Sequence, residues 1–268
     1  MSLAFLTPDA APSRELRARS PMERAAVAAG ARIARAEGWN VTNAYSEPSV
    51  EWGRLTKTVG FVDRSSLAKL ELQAEPAALA RIVAQASAAL ALDADGTSPA
   101  GAGLVLEPGR AGRCASASAS GDGTWWCPVT PARVLVLSEP LDAAAVRAAV
   151  ARAAAAEPGT VSVLDVTCGL AALSLIGPQA RELLARFCAL DVRPALAPAR
   201  AFRPGSVART PGYVLVQRED SLLALVGWAL GEYLWEVVAD AAAALGGGPV
   251  GAEALAHHLA RDAEPADA

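Results

Sequence analysis

Residues 161–188, VSVLDVTCGLAALSLIGPQARELLARFC, decide the fold class. Val161–Val166 and Leu170–Ile176 are short apolar runs rich in Val, Leu and Ile, and they read as two strands parted by Thr167-Cys168-Gly169. Gly177-Pro178 then opens a helix over Gln179–Cys188, since proline suits the first helical turn, where its missing N–H is not needed. Downstream, Ser206–Arg209, Tyr213–Arg218 and Leu222–Val226 read as strands and Trp228–Leu245 as a long helix. Gly246-Gly247-Gly248-Pro249 ends that helix, and Val250–Leu259 forms a last short one. Upstream lie a strand at Arg133–Leu137 and a helix at Leu141–Ala156. This order predicts an α+β layer architecture: mostly antiparallel sheets with helices packed on one face.

Further upstream, Leu104–Leu106, Gly112–Ser118 and Gly123–Cys127 read as short strands, with Gly121-Asp122-Gly123 as a hairpin turn. Val59–Asp63 and Ala68–Leu72 read as a strand pair, the second alternating apolar and charged residues as a half-buried strand does. Ser20-Pro21-Met22-Glu23 predicts a helix start, with the helix running to Glu37 and stopping at Gly38. Glu75-Pro76 opens a helix to about Leu92. The segment 93–103, DADGTSPAGAG, is the best internal boundary. The expected organisation is a flexible arm over 1–18, a first domain over 19–100, a second over 101–260 and a disordered tail over 261–268.

Composition removes several function classes. The 268 residues are 53% hydrophobic and 19% charged, too apolar for a disordered chain. Mean hydropathy is +0.27, yet no run of 18 uncharged apolar residues occurs, so no membrane span is expected. A net charge of -4 gives no footprint for nucleic acid. Two adjacent histidines, His257 and His258, leave little material for a metal site or a Ser-His-Asp triad, and both are expected at the surface. Cys114, Cys127, Cys168 and Cys188 form no CxxC pair, so buried, reduced thiols and a cytoplasmic protein are expected.

Few residues stand out chemically. Cys168 has no histidine near it in sequence and reads as a small buried residue. Trp125 and Trp126 share a strand, so one ring enters the core and the other can line a pocket or interface. Trp39, Tyr45 and Trp52 can stack on a flat heterocycle, although packing under a loop is the commoner role. Arg203, Arg209 and Arg218 can gather around an anion.

The order of short motifs resembles the glycine-cleavage T-protein (aminomethyltransferase) and sarcosine oxidase gamma-subunit superfamily. Ser20-Pro21-Met22, Gly30-Ala31 and Gly38-Trp39 precede Val59-Gly60-Phe61-Val62-Asp63-Arg64-Ser65-Ser66-Leu67-Ala68-Lys69-Leu70, similar to that family's "SP…GA…GW" and "VGL.D.S..GK". Leu164-Asp165-Val166-Thr167 and Leu173 to Leu184 resemble its "DVT…L.L.GP.AR..L". The stretches Cys188–Pro194, Phe202–Gly205, Ala208–Thr210 and Tyr233–Trp235 are especially similar to the sarcosine oxidase gamma subunit. The resemblance covers roughly residues 20–256. It implies two intertwined ferredoxin-like layers, the T-protein's first two domains, without its C-terminal β-barrel.

It also implies a place in one-carbon metabolism, with tetrahydrofolate as the expected cofactor and neither a metal nor a flavin in this chain. Here the family's carboxylates are displaced. Its "GG..DD" hairpin, whose aspartate meets the reacting nitrogen of folate, aligns with 112–127, where only Asp122 stands in the turn. Of its "GE" hairpin, whose glutamate holds the pterin, Arg218 can be aligned, but Glu219–Leu225 shortens the hairpin and drops the GE. Losing positioned carboxylates argues against the family's usual chemistry. The resemblance therefore implies an auxiliary, non-catalytic subunit working beside a flavin-dependent amine oxidase or another one-carbon enzyme. Such a subunit would carry an apolar patch including Trp125 or Trp126 and Trp228. The alternative is a tetrahydrofolate-dependent aminomethyl or methyl transferase, with Asp63 and Asp122 as surrogate catalytic residues and Arg218, Glu219, Tyr45 and Trp126 around the cofactor. A folate-binding maintenance protein is less favoured, because that branch's "KGCY.GQE" motif is absent.

Overall fold

The computed structural model describes residues 17–92, 103–114 and 123–263. Asp122, most of the expected boundary at 93–103, the greater part of the arm and the end of the tail lie outside the described residues.

The chain opens with helix α1 (Glu23–Ala28) and the antiparallel hairpin β1 (Arg32–Ala36) and β2 (Trp39–Ala44). The helix expected to reach Glu37 therefore ends nine residues early. Gly30 and Glu37-Gly38 all sit at positive φ, and the latter pair makes the tight turn that a right-twisted hairpin requires. Helix α2 (Pro48–Lys57) leads into β3 (Gly60–Asp63), then β4 (Ala68–Gln73) and α3 (Pro76–Leu92). There follow β5 (Gly112–Cys114), β6 (Thr124–Thr130), β7 (Arg133–Ser138), α4 (Ala143–Ala155) and β8 (Ser162–Asp165). The last third holds β9 (Leu170–Ile176), α5 (Ala180–Ala185), β10 (Phe202–Val207), β11 (Thr210–Arg218), β12 (Ser221–Gly227), α6 (Gly231–Ala243), β13 (Gly248–Pro249) and α7 (Ala252–Ala263). Residues 104–106 form no strand, and Ala208-Arg209, expected within one, are the left-handed turn of the β10–β11 hairpin.

Two larger sheets result, ordered β10-β11-β12-β9-β3-β13 and β5-β6-β7-β4-β8, and every pairing is antiparallel except β13 with β3. β3 and β4 are not partners, contrary to expectation: they belong to different sheets, and the chain crosses between them at 64–67. It crosses back at 166–169, between β8 and β9. The five-stranded sheet is thus drawn from 68–165 and the six-stranded sheet from both flanks, so sheet membership does not follow a division at 93–103.

Alternation along the strands builds three apolar layers. Leu173, Leu175, Val214, Val216, Leu222 and Ala224 face α5 and α6 with Leu183 and Val238. Leu70, Leu72, Trp126, Val134 and Val136 face α3 and α4. Trp125, Cys127, Leu135, Leu137, Phe202, Leu215, Leu223 and Leu225 fill the space between the sheets. Helices therefore cover the outer face of each sheet, as an α+β layer architecture predicts. A fourth cluster, with Leu55, Val62, Ile176, Val250 and Leu255, packs α2 and α7 over the β3 edge. Gly177, at φ 126°, permits the chain to turn under α2; a Cβ there would lie 2.7 Å from the Thr58 carbonyl oxygen.

Candidate functional site

The first crossover is held by its own sequence. Ser65 N–H donates to Asp63 Oδ1 at 2.9 Å, and Leu67 N–H donates to the Arg64 carbonyl at 3.0 Å. The return crossover repeats the device: Thr167 N–H donates to Asp165 Oδ1 at 2.9 Å. Lys69 joins them. Its ammonium donates to the carbonyls of Ser65 and Leu67, both at 2.8 Å, and of Thr167 at 3.3 Å. It is wholly buried, although the alternation of 68–72 reads as a half-buried strand. The face expected to be polar meets the other crossover instead of water. Burial brings the Lys69 ammonium down to about 8, against the pull of the Asp63 charge.

Asp63 lies half-buried at the end of β3. Desolvation pushes its carboxyl up, while hydrogen bonds to Ser20 and Ser65 and the Lys69 charge oppose the shift. Tyr45 sits nearby, hydrogen-bonded to Trp235 and Thr42, and burial pushes its phenol up to about 12, so it remains protonated at neutral pH. Beside Asp63 a groove of about 220 Å³ runs past Arg64, Ser66, Glu139, Leu141 and the Leu255–Leu259 face of α7. An ion pair of low exposure joins Arg64 and Glu139 across its floor. In this groove the Asp63 end of the first crossover meets open space.

The remaining residues are not gathered there. Arg218 ends β11 and Glu219 follows it in the turn to β12, away from this groove. Three strand spacings, about 14 Å, separate β11 from β3. Glu219 pairs with Arg181, whose guanidinium also holds the carbonyls of Val192 and Ala197. Trp126 is fully buried beneath α3 and α4, and Trp125 is buried between the sheets, so neither ring belongs to an exposed patch. Exposed large apolar side chains include Leu141, Val163 and Leu164 instead. Arg203 spends its guanidinium on the carbonyls of Gly109, Phe202 and Leu196, and Arg209 lies in the hairpin turn, so the expected arginine cluster does not form. Trp39 packs on Trp228 with centroids 6.1 Å apart. Cys168 is exposed, not buried, in the return crossover, while the other three thiols are buried and all four are free. His258 is buried, not at the surface.

Among the described residues, the first crossover meets parts of the two segments aligned with the family's folate hairpins. Arg64 and Leu67 of the first crossover, Gly123 and Trp125 at the start of β6, and Gln217 and Leu223 of the β11–β12 hairpin line one space between the sheets. That cavity measures about 10 Å³, because Trp125, Leu137 and Leu223 fill it. Small-molecule sites run to about 300–1,000 Å³. Among the described residues, no group of three or more His, Cys, Asp and Glu side chains could hold a metal ion. No described helix is long and apolar enough to cross a membrane.

No protein-family model matches the chain, and no curated protein is significantly similar in sequence. Solved structures are similar in fold. A chain of the heterotetrameric sarcosine oxidase from Corynebacterium sp. U-96, solved with pyrrole 2-carboxylate, is 22% identical, with a TM-score of 0.59 over 87% of this chain and 98% of that one. The glycine cleavage system aminomethyltransferase T from Bartonella henselae is 17% identical, with a TM-score of 0.63 over 88% of this chain and 60% of that one. The chain thus has the fold that the T-protein and the matching sarcosine oxidase chain share, which the motifs from Ser20 to Trp235 implied.

Proposed function

We propose that this chain is an auxiliary, non-catalytic subunit, resembling the sarcosine oxidase gamma subunit, of a sarcosine-oxidase-like or folate-linked demethylating complex. The observation that carries this reading is the small space between the described parts of the folate-aligned segments: at about 10 Å³ it is far below the size of a small-molecule site. The near-complete coverage of one chain of a heterotetrameric oxidase supports it further. A partner also has somewhere to dock: β8 is an edge strand paired only with β4, and it carries the exposed Val163 and Leu164. The partner in this reading holds the flavin. The test is native purification. A stoichiometric complex with a flavin-containing oxidase chain is expected, and a lone chain with transferase activity on tetrahydrofolate overturns the proposal.

One observation favours a second reading. Asp63 is a desolvated acid beside an open groove, the setting in which a carboxyl serves acid–base chemistry. In that reading the chain is a tetrahydrofolate-dependent transferase with Asp63 as its surrogate carboxylate, and Asp63→Asn abolishes turnover.

A further inference from the structure

Helix α7 parts two cavities. Leu255 and Leu259 line the groove beside Asp63, while the opposite face carries Ala254, His257 and Arg261 against α2 and lines a second cavity of about 300 Å³. Trp52 of α2 dominates its wall. The His257 ring meets Trp52 edge-on, with centroids 4.9 Å apart and planes at 84°. The Arg261 guanidinium lies 5.4 Å from the same ring's centroid. A cation held over indole is oriented but keeps its N–H fork. None of the ion pairs among the described residues uses Arg261.

Two acids line the cavity, and the buried one is balanced by backbone donors. Glu51 is buried, and its Oε1 accepts the N–H groups of Tyr45 and Ser46 at 2.6 and 2.7 Å. Its Oε2 accepts the Gly251 N–H at 2.7 Å. Three backbone donors balance that charge locally. Glu253 accepts from Asn43 Nδ2 at 3.1 Å. The Ser46 hydroxyl, in the same wall, is buried and has no partner among the described residues. Ala44, Pro48 and Ala254 make the rest of the lining apolar. The cavity therefore offers an apolar slot, an aromatic wall and a guanidinium with free donors.

We infer that this cavity binds a small aromatic monocarboxylate. Its carboxylate pairs with the Arg261 fork, with His257 at its side, and its ring lies against Trp52 and Ala254. A paired carboxylate and an apolar body are both required. A neutral isostere leaves the guanidinium without its partner.

Isothermal titration of the whole chain with benzoate and with benzamide tests this. Benzoate is expected to saturate with a Kd below about 1 mM, and benzamide to bind at least about tenfold more weakly. Arg261→Gln, an exposed position whose loss does not threaten the fold, is expected to weaken benzoate at least about tenfold. Trp52→Leu is expected to weaken benzoate and benzamide alike, and Arg186→Gln, at a surface arginine paired elsewhere with Glu182, to change nothing. No saturation by benzoate, equal affinity for benzamide, or unchanged affinity in Arg261→Gln would overturn the assignment.

Discussion

The two crossovers share one short motif and differ in what surrounds it. In each, an aspartate ending a strand accepts the N–H two residues on, at 2.9 Å in both: Asp63 from Ser65, Asp165 from Thr167. Their electrostatics diverge. Desolvation raises the Asp63 carboxyl. Burial also acts upward on Asp165, but the Thr167 hydroxyl and N–H and the Arg147 guanidinium outweigh it and hold that carboxyl low. Asp165 is half-exposed and ion-paired with Arg147 at 2.8 Å, whereas Asp63 faces a groove. One turn therefore yields a structural anchor in one place and a desolvated acid in the other. What separates them is the neighbouring element: an arginine of α4 over the return crossover, and the α7 groove beside the first.

Breaking what the crossovers share should cost most. Lys69→Met leaves three buried carbonyls without their donor, and we expect a loss of about 3 kcal/mol in urea unfolding at pH 7. The same lysine predicts an alkaline trend. Its folded pKa of about 8 lies below the ordinary 10.5, so the unfolded chain holds the proton more tightly between those values. Stability attributable to Lys69 should therefore rise with pH from 8 to 10.5, by at most about 1.4 kcal/mol per unit, and the trend should vanish in Lys69→Met.

The Arg64–Glu139 pair comes next. It is largely buried and belongs to the first crossover alone. A double-mutant cycle with Arg64→Ala and Glu139→Gln should give a coupling of about 1–2 kcal/mol, against about 0.5 kcal/mol for the exposed Arg147–Asp165 pair.

The smallest effects should differ in sign. Asp165→Asn should lower stability at pH 7 by about 0.5 kcal/mol, and the wild-type contribution should disappear as pH falls through the depressed folded value. Asp63→Asn keeps the oxygen that accepts from Ser65 while removing a desolvated charge, and should leave stability unchanged or raise it by up to about 1 kcal/mol. In the wild type, the Asp63 contribution is greatest below the unfolded carboxylate value and is lost as pH rises through its raised folded one. Matched loss in both variants would show that the two turns are equivalent.

Much of the fold was legible because its signals are local. Pro76 starts α3, the Gly177-Pro178 step sets off α5, and apolar runs mark β7, β9 and β12. Where partners decide, the sequence misled. Arg32–Ala36 is rich in good helix formers, yet pairing with β2 and the Glu37-Gly38 turn make it a strand. Val59–Asp63 and Ala68–Leu72 look like a hairpin because a short polar turn joins them; only the register of β9 and β7 shows that they belong to different sheets. Of the site, Asp63 and Tyr45 share one neighbourhood, while Arg218 and Glu219 lie three strands away. Lys69 was missed, since an alternating strand hides the fact that both of its faces are covered. One available signal was its rarity, as one of two lysines among 24 basic residues.

In the proposed auxiliary role, the space between the folate-aligned segments is closed to a pterin. Calorimetric titration of the isolated chain with tetrahydrofolate tests it most directly. The filled cavity of Trp125, Leu137 and Leu223 predicts no saturable binding up to about 100 μM. Saturation in the micromolar range, lost in Asp63→Asn or Glu219→Gln, would contradict it and restore the transferase reading.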